Sequence, residues 1–148
     1  MATTIRQATV ADIDTLFDIR TSVTDNHLSR QQLDELGVTA DALRQAIEES
    51  PCAWVAELDG VPAGFAMVDM DGGELFALFV RPQHEGKGLG TRLLEAAEQA
   101  LFARHSLIHL VTDGDEAIRA NGFYSRQGWL QVGEVDERDV RYEKRRDR

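Results

Sequence analysis

The sequence predicts an α/β fold: a mixed, mostly antiparallel central sheet flanked by helices. Three observations point there. Two apolar runs meet at Asp59-Gly60, apolar residues recur at helical spacing on both sides of that region, and a strand–turn–helix occupies the centre of the chain around Val80 to Thr91. With 148 residues, 43% of them hydrophobic, the chain suits one compact domain over 1–148 that buries its own core. No repeat, low-complexity tract or Pro/Gly/Ser linker divides it.

Ile5 to Thr9 reads as a short first strand. Thr9 then precedes Ala11-Asp12-Ile13-Asp14, and Ile13, Leu16, Phe17 and Ile19 follow at helical spacing. A second helix is expected from Thr39, a suitable N-cap, with Ala42, Leu43, Ala46 and Ile47 on one face and Ser50-Pro51 as its stop. Cys52 to Leu58 and Val61 to Val68 flank Asp59-Gly60, a dipeptide that favours a type I′ hairpin turn. Asp71-Gly72-Gly73 makes the next turn. Leu75 to Val80 then reads as a central strand, apolar on both faces.

After Pro82 comes a glycine-rich turn and a helix from about Gly88 to Arg104, whose inward stripe is Leu89, Leu93, Leu94, Ala97 and Leu101. Leu107 to Thr112 is expected as a strand and Glu116 to Arg126 as a helix. Trp129 to Val135 and Val140 to Glu143 form a closing hairpin. Lys144, Arg145, Arg146 and Arg148 read as a solvated basic end.

The formal net charge is −10, which argues against a nucleic-acid partner, whose phosphates call for clustered Lys and Arg. The N-terminus lacks the apolar stretch of a signal peptide, and the longest apolar run is too short to span a bilayer. A cytoplasmic protein without a membrane partner is the expectation. Cys52 is the only cysteine, so no intrachain disulfide forms, and its apolar surroundings suggest packing over reactivity. His105 and His109 are four apart across a helix end and a strand, so no metal site is expected. His84 and His27 read as loop residues.

The chemistry concentrates in Val80-Arg81-Pro82-Gln83-His84-Glu85-Gly86-Lys87-Gly88-Leu89-Gly90-Thr91. Three glycines at alternate positions strip side chains from the point where a strand gives way to a helix. Backbone N–H groups can converge there on an anion such as a pyrophosphate, and the helix macrodipole adds to the attraction. The segment is not a P-loop, which needs four residues between its first glycine and a Gly-Lys-Ser/Thr. Nor is it the dinucleotide fingerprint, since Gly90 is followed by Thr91 and Arg92 and the acidic ribose ligand would fall near His109.

Val80-x-Pro82-x-x-x-Gly86-Lys87-Gly88-Leu89-Gly90-x-x-Leu93-Leu94 resembles the acyl-CoA-binding motif of GNAT acetyltransferases. Ala120-Asn121-Gly122-Phe123-Tyr124-Ser125-Arg126-Gln127-Gly128-Trp129 is similar to that superfamily's A-x-x-x-Y-x-x-x-G-F/W segment. Order and spacing match over nearly the whole chain. The resemblance implies a GNAT-like fold and an N-acetyltransferase that uses acetyl-CoA as co-substrate. Phe79 and Val80 would pair with the pantetheine arm as with an added strand. Glu85, Gly86, Lys87, Gly88, Leu89, Gly90 and Thr91 would hold the pyrophosphate. Tyr124 falls at the family's general-acid tyrosine, and Glu74 where some members place a general base. Two positions depart from the pattern: Glu85 stands where Gln or Arg is usual, and Ala117 where Asn is common.

Acetyl transfer needs a neutral amine, a polarised thioester and a proton for the leaving thiolate. An alkyl ammonium has a pKa of ~10.4, so a carboxylate base such as Glu74 is useful near neutrality, whereas a thiol of pKa about 8.5 leaves with little help from Tyr124. Glu74 is equally readable as a polar residue leaving a turn. The acceptor pocket is expected from Arg20 to Leu36 and the final hairpin, with Arg20, Asn26 and His27 as contacts. Its amine stays open between small molecule and protein, as does homodimer formation. A non-catalytic acyl-CoA-binding or sensing module, or an enzyme of another phosphate ligand, are the competing readings.

Overall fold

Strand β1 (Thr3–Gln7) pairs antiparallel with Trp54–Leu58, two residues earlier than the sequence suggests. Thr9 explains the shift. Its extended backbone (φ −117°, ψ 172°) caps a 3-10 turn over Val10–Asp12, and its N–H is spent on the Asp12 carboxylate at 2.8 Å. The computed structural model describes residues 2–23, 27–114 and 119–146. Helix α1 (Ile13–Ser22) follows and buries Leu16, Phe17 and Ile19. Helix α2 (Arg30–Glu35) was not anticipated, although Ser29-x-x-Gln32 signals it. The Ser29 hydroxyl accepts the Gln32 N–H at 3.1 Å, and the Gln32 side chain accepts the Ser29 N–H at 2.8 Å. Helix α3 (Ala40–Glu49) starts on Thr39, whose hydroxyl accepts the Ala42 N–H at 3.1 Å.

Strands β2 (Ala53–Leu58) and β3 (Val61–Asp69) form the expected hairpin. Asp59 and Gly60, at φ 53° and 83°, supply the two left-handed residues of a type I′ turn. Strand β4 (Glu74–Val80) runs back along β3 and leads to α4 (Leu89–Phe102), then β5 (Leu107–Asp113), α5 (Arg119–Arg126), β6 (Leu130–Glu134) and β7 (Asp139–Arg145). The sheet has the order β1-β2-β3-β4-β5-β7-β6, with β4 and β5 parallel and every other neighbour antiparallel. Leu89, Leu93, Leu94, Ala97 and Leu101 of α4 are buried against it, as their spacing predicts. Among the described helices none is long and apolar enough to cross a membrane.

Two expectations are corrected. Strand β4 is not apolar-buried on both faces, because Phe76 is 50% exposed. The basic end is not frayed: Lys144 and Arg145 lie in β7, Lys144 Nζ donates to Glu98 at 2.8 Å, and Arg146 donates to the Phe102 carbonyl at 2.8 Å. The expected start of α5, with Glu116 and Ala117, lies outside the described residues, as does Arg148.

An ion-pair cluster ties β1 to the entrance of α1. Arg6 bridges Asp12 at 2.9 Å and Glu57 at 3.2 Å, and the Arg6 hydrogen bonds hold the Asp12 pKa down at about 2. A carboxyl whose folded pKa is depressed adds stability above its unfolded value of 3.8, and that gain disappears as pH falls toward 2. Asp12→Asn should therefore cost about 1–2 kcal/mol at pH 7. Urea titrations at pH 7 and pH 2.5 check this, with the gap between parent and variant expected to narrow at the acid end.

Candidate active site

Strands β4 and β5 are in register at one rung only, Glu74 opposite His109, with the His109 N–H donating to the Gly73 carbonyl at 3.0 Å. Past that rung the two strands separate. The gap is a cleft of about 670 Å³ walled by Phe76 to Val80 on one side and Leu110 to Thr112 on the other. A β-bulge between Met67 and Val68 leaves Phe76 without a cross-strand partner, which turns its ring into the cleft mouth. Phe79 and Val80 oppose Phe65 and Gly64 of β3, and no described strand pairs with their other edge. Their unclaimed polar backbone groups make that edge ready to accept an extended chain.

The N-terminus of α4 closes one end of the cleft. Gly88 is its N-cap at φ 83°, a left-handed conformation that an L side chain rarely adopts, and the space a Cβ would occupy is open to within 4 Å apart from its own chain neighbours. The first-turn N–H groups of a helix have no intrahelical acceptor, so they carry the positive end of the dipole into this space. Glu85, Gly86, Gly88, Leu89, Gly90 and Thr91 line the cleft, whereas Lys87 is exposed and does not. Arg126 of α5, absent from the sequence-based site, also lines it. No local sequence signal marks this arginine, because only the packing of α5 brings it to the cleft. The geometry suits a pyrophosphate attached to an extended arm.

Tyr124 lies on the same cleft, 7% exposed. Its ring packs on Phe123, Trp129 and Tyr142 at centroid distances of 5.4, 6.0 and 5.9 Å. Burial, with a smaller contribution from Tyr142, raises its pKa above that of an ordinary phenol. No described residue hydrogen-bonds its hydroxyl, whereas the Tyr142 hydroxyl donates to Asn121 at 3.0 Å.

Glu74 is not among the lining residues. Its carboxylate faces His109 at 4.0 Å, at the closed end of the splay and two residues before Phe76 on β4. Arg20 lines the cleft, 9% exposed, with its guanidinium 4.3 Å from the centre of the Phe79 ring; burial lowers its pKa. His27 hydrogen-bonds to the Val23 carbonyl at 2.9 Å and does not line the cleft, and Asn26 lies outside the described residues. Arg138 and Asp139, from the final hairpin, complete the far wall. Cys52 is buried away from the cleft, and burial raises its thiol pKa. Among the described residues no group of three or more His, Cys, Asp or Glu is placed to hold a metal ion.

The model of the acetyltransferase (GNAT) family matches residues 13–129, so the chain belongs to that family. An uncharacterized N-acetyltransferase of Archaeoglobus fulgidus is 33% identical over 82 residues, which are 49% of this chain and 56% of the relative. The chain thus spans about half the length of the curated relatives it matches. The PaiA N-acetyltransferase of Thermoplasma acidophilum, solved in complex with coenzyme A, superposes with a TM-score of 0.80 at 19% identity, covering 99% of this chain and 100% of that one. The yncA protein of Salmonella typhimurium, solved with its cofactor acetyl-CoA, gives 0.76 at 20% identity and covers 99% and 95%. Both likenesses show the same overall fold.

Proposed function

We propose that the protein is an acyltransferase that moves an acetyl group from acetyl-CoA to a primary amine by direct attack. The observation that carries this reading is one cleft that joins an unpaired strand edge, a helix N-terminus and a buried tyrosine hydroxyl. The edge of Phe79 and Val80 takes the pantetheine arm, and the amides from Gly86 to Thr91 take the pyrophosphate, with Arg126 adding positive charge. The chain carries −10 overall, yet the described cleft lining holds three arginines against two carboxylates, which favours a polyphosphate there.

A β4 amide near the Phe76 bulge polarises the thioester carbonyl. The amine nitrogen attacks the carbonyl carbon, its proton leaves toward Glu74 directly or through water, and the C–S bond breaks. Tyr124 returns a proton to the thiolate. Cys52, the only cysteine, is buried and off the cleft, which supports direct attack over a thioester enzyme intermediate. A binding or sensing module is the alternative, favoured by the position of Glu74 away from the cleft lining.

Acetyl-CoA at one hundred times its Kd should stabilise the fold by about 2.7 kcal/mol in thermal unfolding. A clear shift with ATP or NAD and none with any acyl-CoA would overturn the assignment. Glu74→Gln should slow turnover most at the acid end of the pH range, where the amine arrives protonated and needs a base. Superimposable pH–rate profiles for variant and parent would remove Glu74 from the mechanism and favour the binding module.

A further inference from the structure

Resting on that reading, we infer that the donor site takes acyl-CoA with a medium-length saturated chain as well as acetyl-CoA. The chamber for the chain is the part of the cleft under α1, α2 and α3. Phe17 of α1, Leu33 of α2, Leu43 of α3, and Phe65 and Met67 of β3 line it, each at most 7% exposed. These walls come from four elements, so a chain inserts among them and does not lie across a surface. Side chains of this kind stabilise an apolar guest by removing its surface from water.

The position of the chamber ties it to the donor. Phe65 lies opposite Phe79 in the β3–β4 ladder, with ring centroids 5.9 Å apart, and Met67 lies opposite Ala77, next to the bulge at Phe76. The apolar floor therefore runs from beside the edge assigned to the pantetheine arm to beside the thioester carbonyl. From Phe65 to Met67 a strand advances about 7 Å, well beyond the reach of an acetyl methyl. The amine suits the other side of the carbonyl. It arrives as a hydrated ammonium with a pKa of ~10.4, and burying that charge among apolar walls is costly. The far wall, where Thr112, Arg138 and Asp139 line the cleft, keeps polar groups within its reach. Of the two groups that meet at the carbonyl carbon, the uncharged acyl chain is the one the chamber favours.

Calorimetric titration with acetyl-CoA, butyryl-CoA and hexanoyl-CoA, with no amine present, tests the inference. Each fully buried methylene tightens binding about fourfold. Even with partial burial, hexanoyl-CoA should bind at least ~10-fold more tightly than acetyl-CoA, with butyryl-CoA between them. Leu33→Trp fills the chamber and should erase this gain, so that the three ligands bind alike. Met67→Phe fills it from the β3 side and serves the same purpose if the tryptophan prevents folding. Equal affinities in the parent, with acetyl-CoA still binding, overturn the acyl-chain inference and leave the acetyltransferase reading standing. A gain that survives in a folded, filled variant puts the chain outside the chamber and overturns the inference as well. Binding of none of the three ligands removes both readings.

Discussion

Tyr124→Phe should lower kcat about 100-fold while leaving acetyl-CoA affinity unchanged. The substitution keeps the ring contacts with Phe123, Trp129 and Tyr142 and deletes only a hydroxyl that lines the cleft without a described hydrogen bond. Burial holds the phenol protonated above its usual range, so it remains a proton donor throughout any ordinary assay. The same raised pKa has a stability sign. The contribution is complete below the unfolded value of 10.0 and fades as pH rises beyond it, so the parent loses stability in strong alkali that the variant retains. Single-turnover kinetics and calorimetric titration with acetyl-CoA separate the two effects. An unchanged rate of the chemical step would make Tyr124 a packing residue.

Trp129→Ala should destabilise the fold by about 3–5 kcal/mol, a large share of the roughly 5–15 kcal/mol that holds a domain of this size folded. Trp129 is 1% exposed, and its Nε1 donates to Glu98 at 3.0 Å, the carboxylate that also receives Lys144 at 2.8 Å. One indole therefore ties together α4, β7 and the ring of Tyr124. Trp129→Phe keeps most of the packing and should cost about 1–3 kcal/mol, through the buried acceptor left short of a donor. Equilibrium urea unfolding of both variants checks the ranking. A loss under about 1 kcal/mol for the alanine would show that the site collapses around the gap.

Local chemistry was legible and long-range geometry was not. Asp59-Gly60, Thr39 and the α4 stripe each encode their structure within a few residues, and the glycine turn announced a helix N-terminus. The family resemblance placed Tyr124 and the α4 turn in one region, and both line the cleft. What stayed hidden depends on neighbours far along the chain. The insertion of β7 between β5 and β6 is a pairing choice that the hairpin pattern alone cannot make. The exposure of Phe76 follows from a bulge in its pairing with β3 and from the departure of β5, neither of which is written in Leu75 to Val80 itself. Arg126 reached the cleft for the same reason. Helix α2 is the exception, since its capping box was in plain sight and its shortness alone concealed it.

The single rung between β4 and β5 also divides the molecule's cooperativity. Strands β1 to β4 form one block of continuous antiparallel ladder, and β5, β7 and β6 form another. Backbone bonding between the blocks is confined to the Glu74–His109 end, with α4 packed across the seam. In hydrogen exchange each block should then behave as its own opening unit, with the amides flanking the seam the first to lose protection. An extended ligand bound along the seam, as proposed, would replace the missing ladder and should make the blocks open together. Protection gained in β6 and β7 on adding acetyl-CoA, at residues far from the cleft, is the hydrogen-exchange result expected from such shared unfolding.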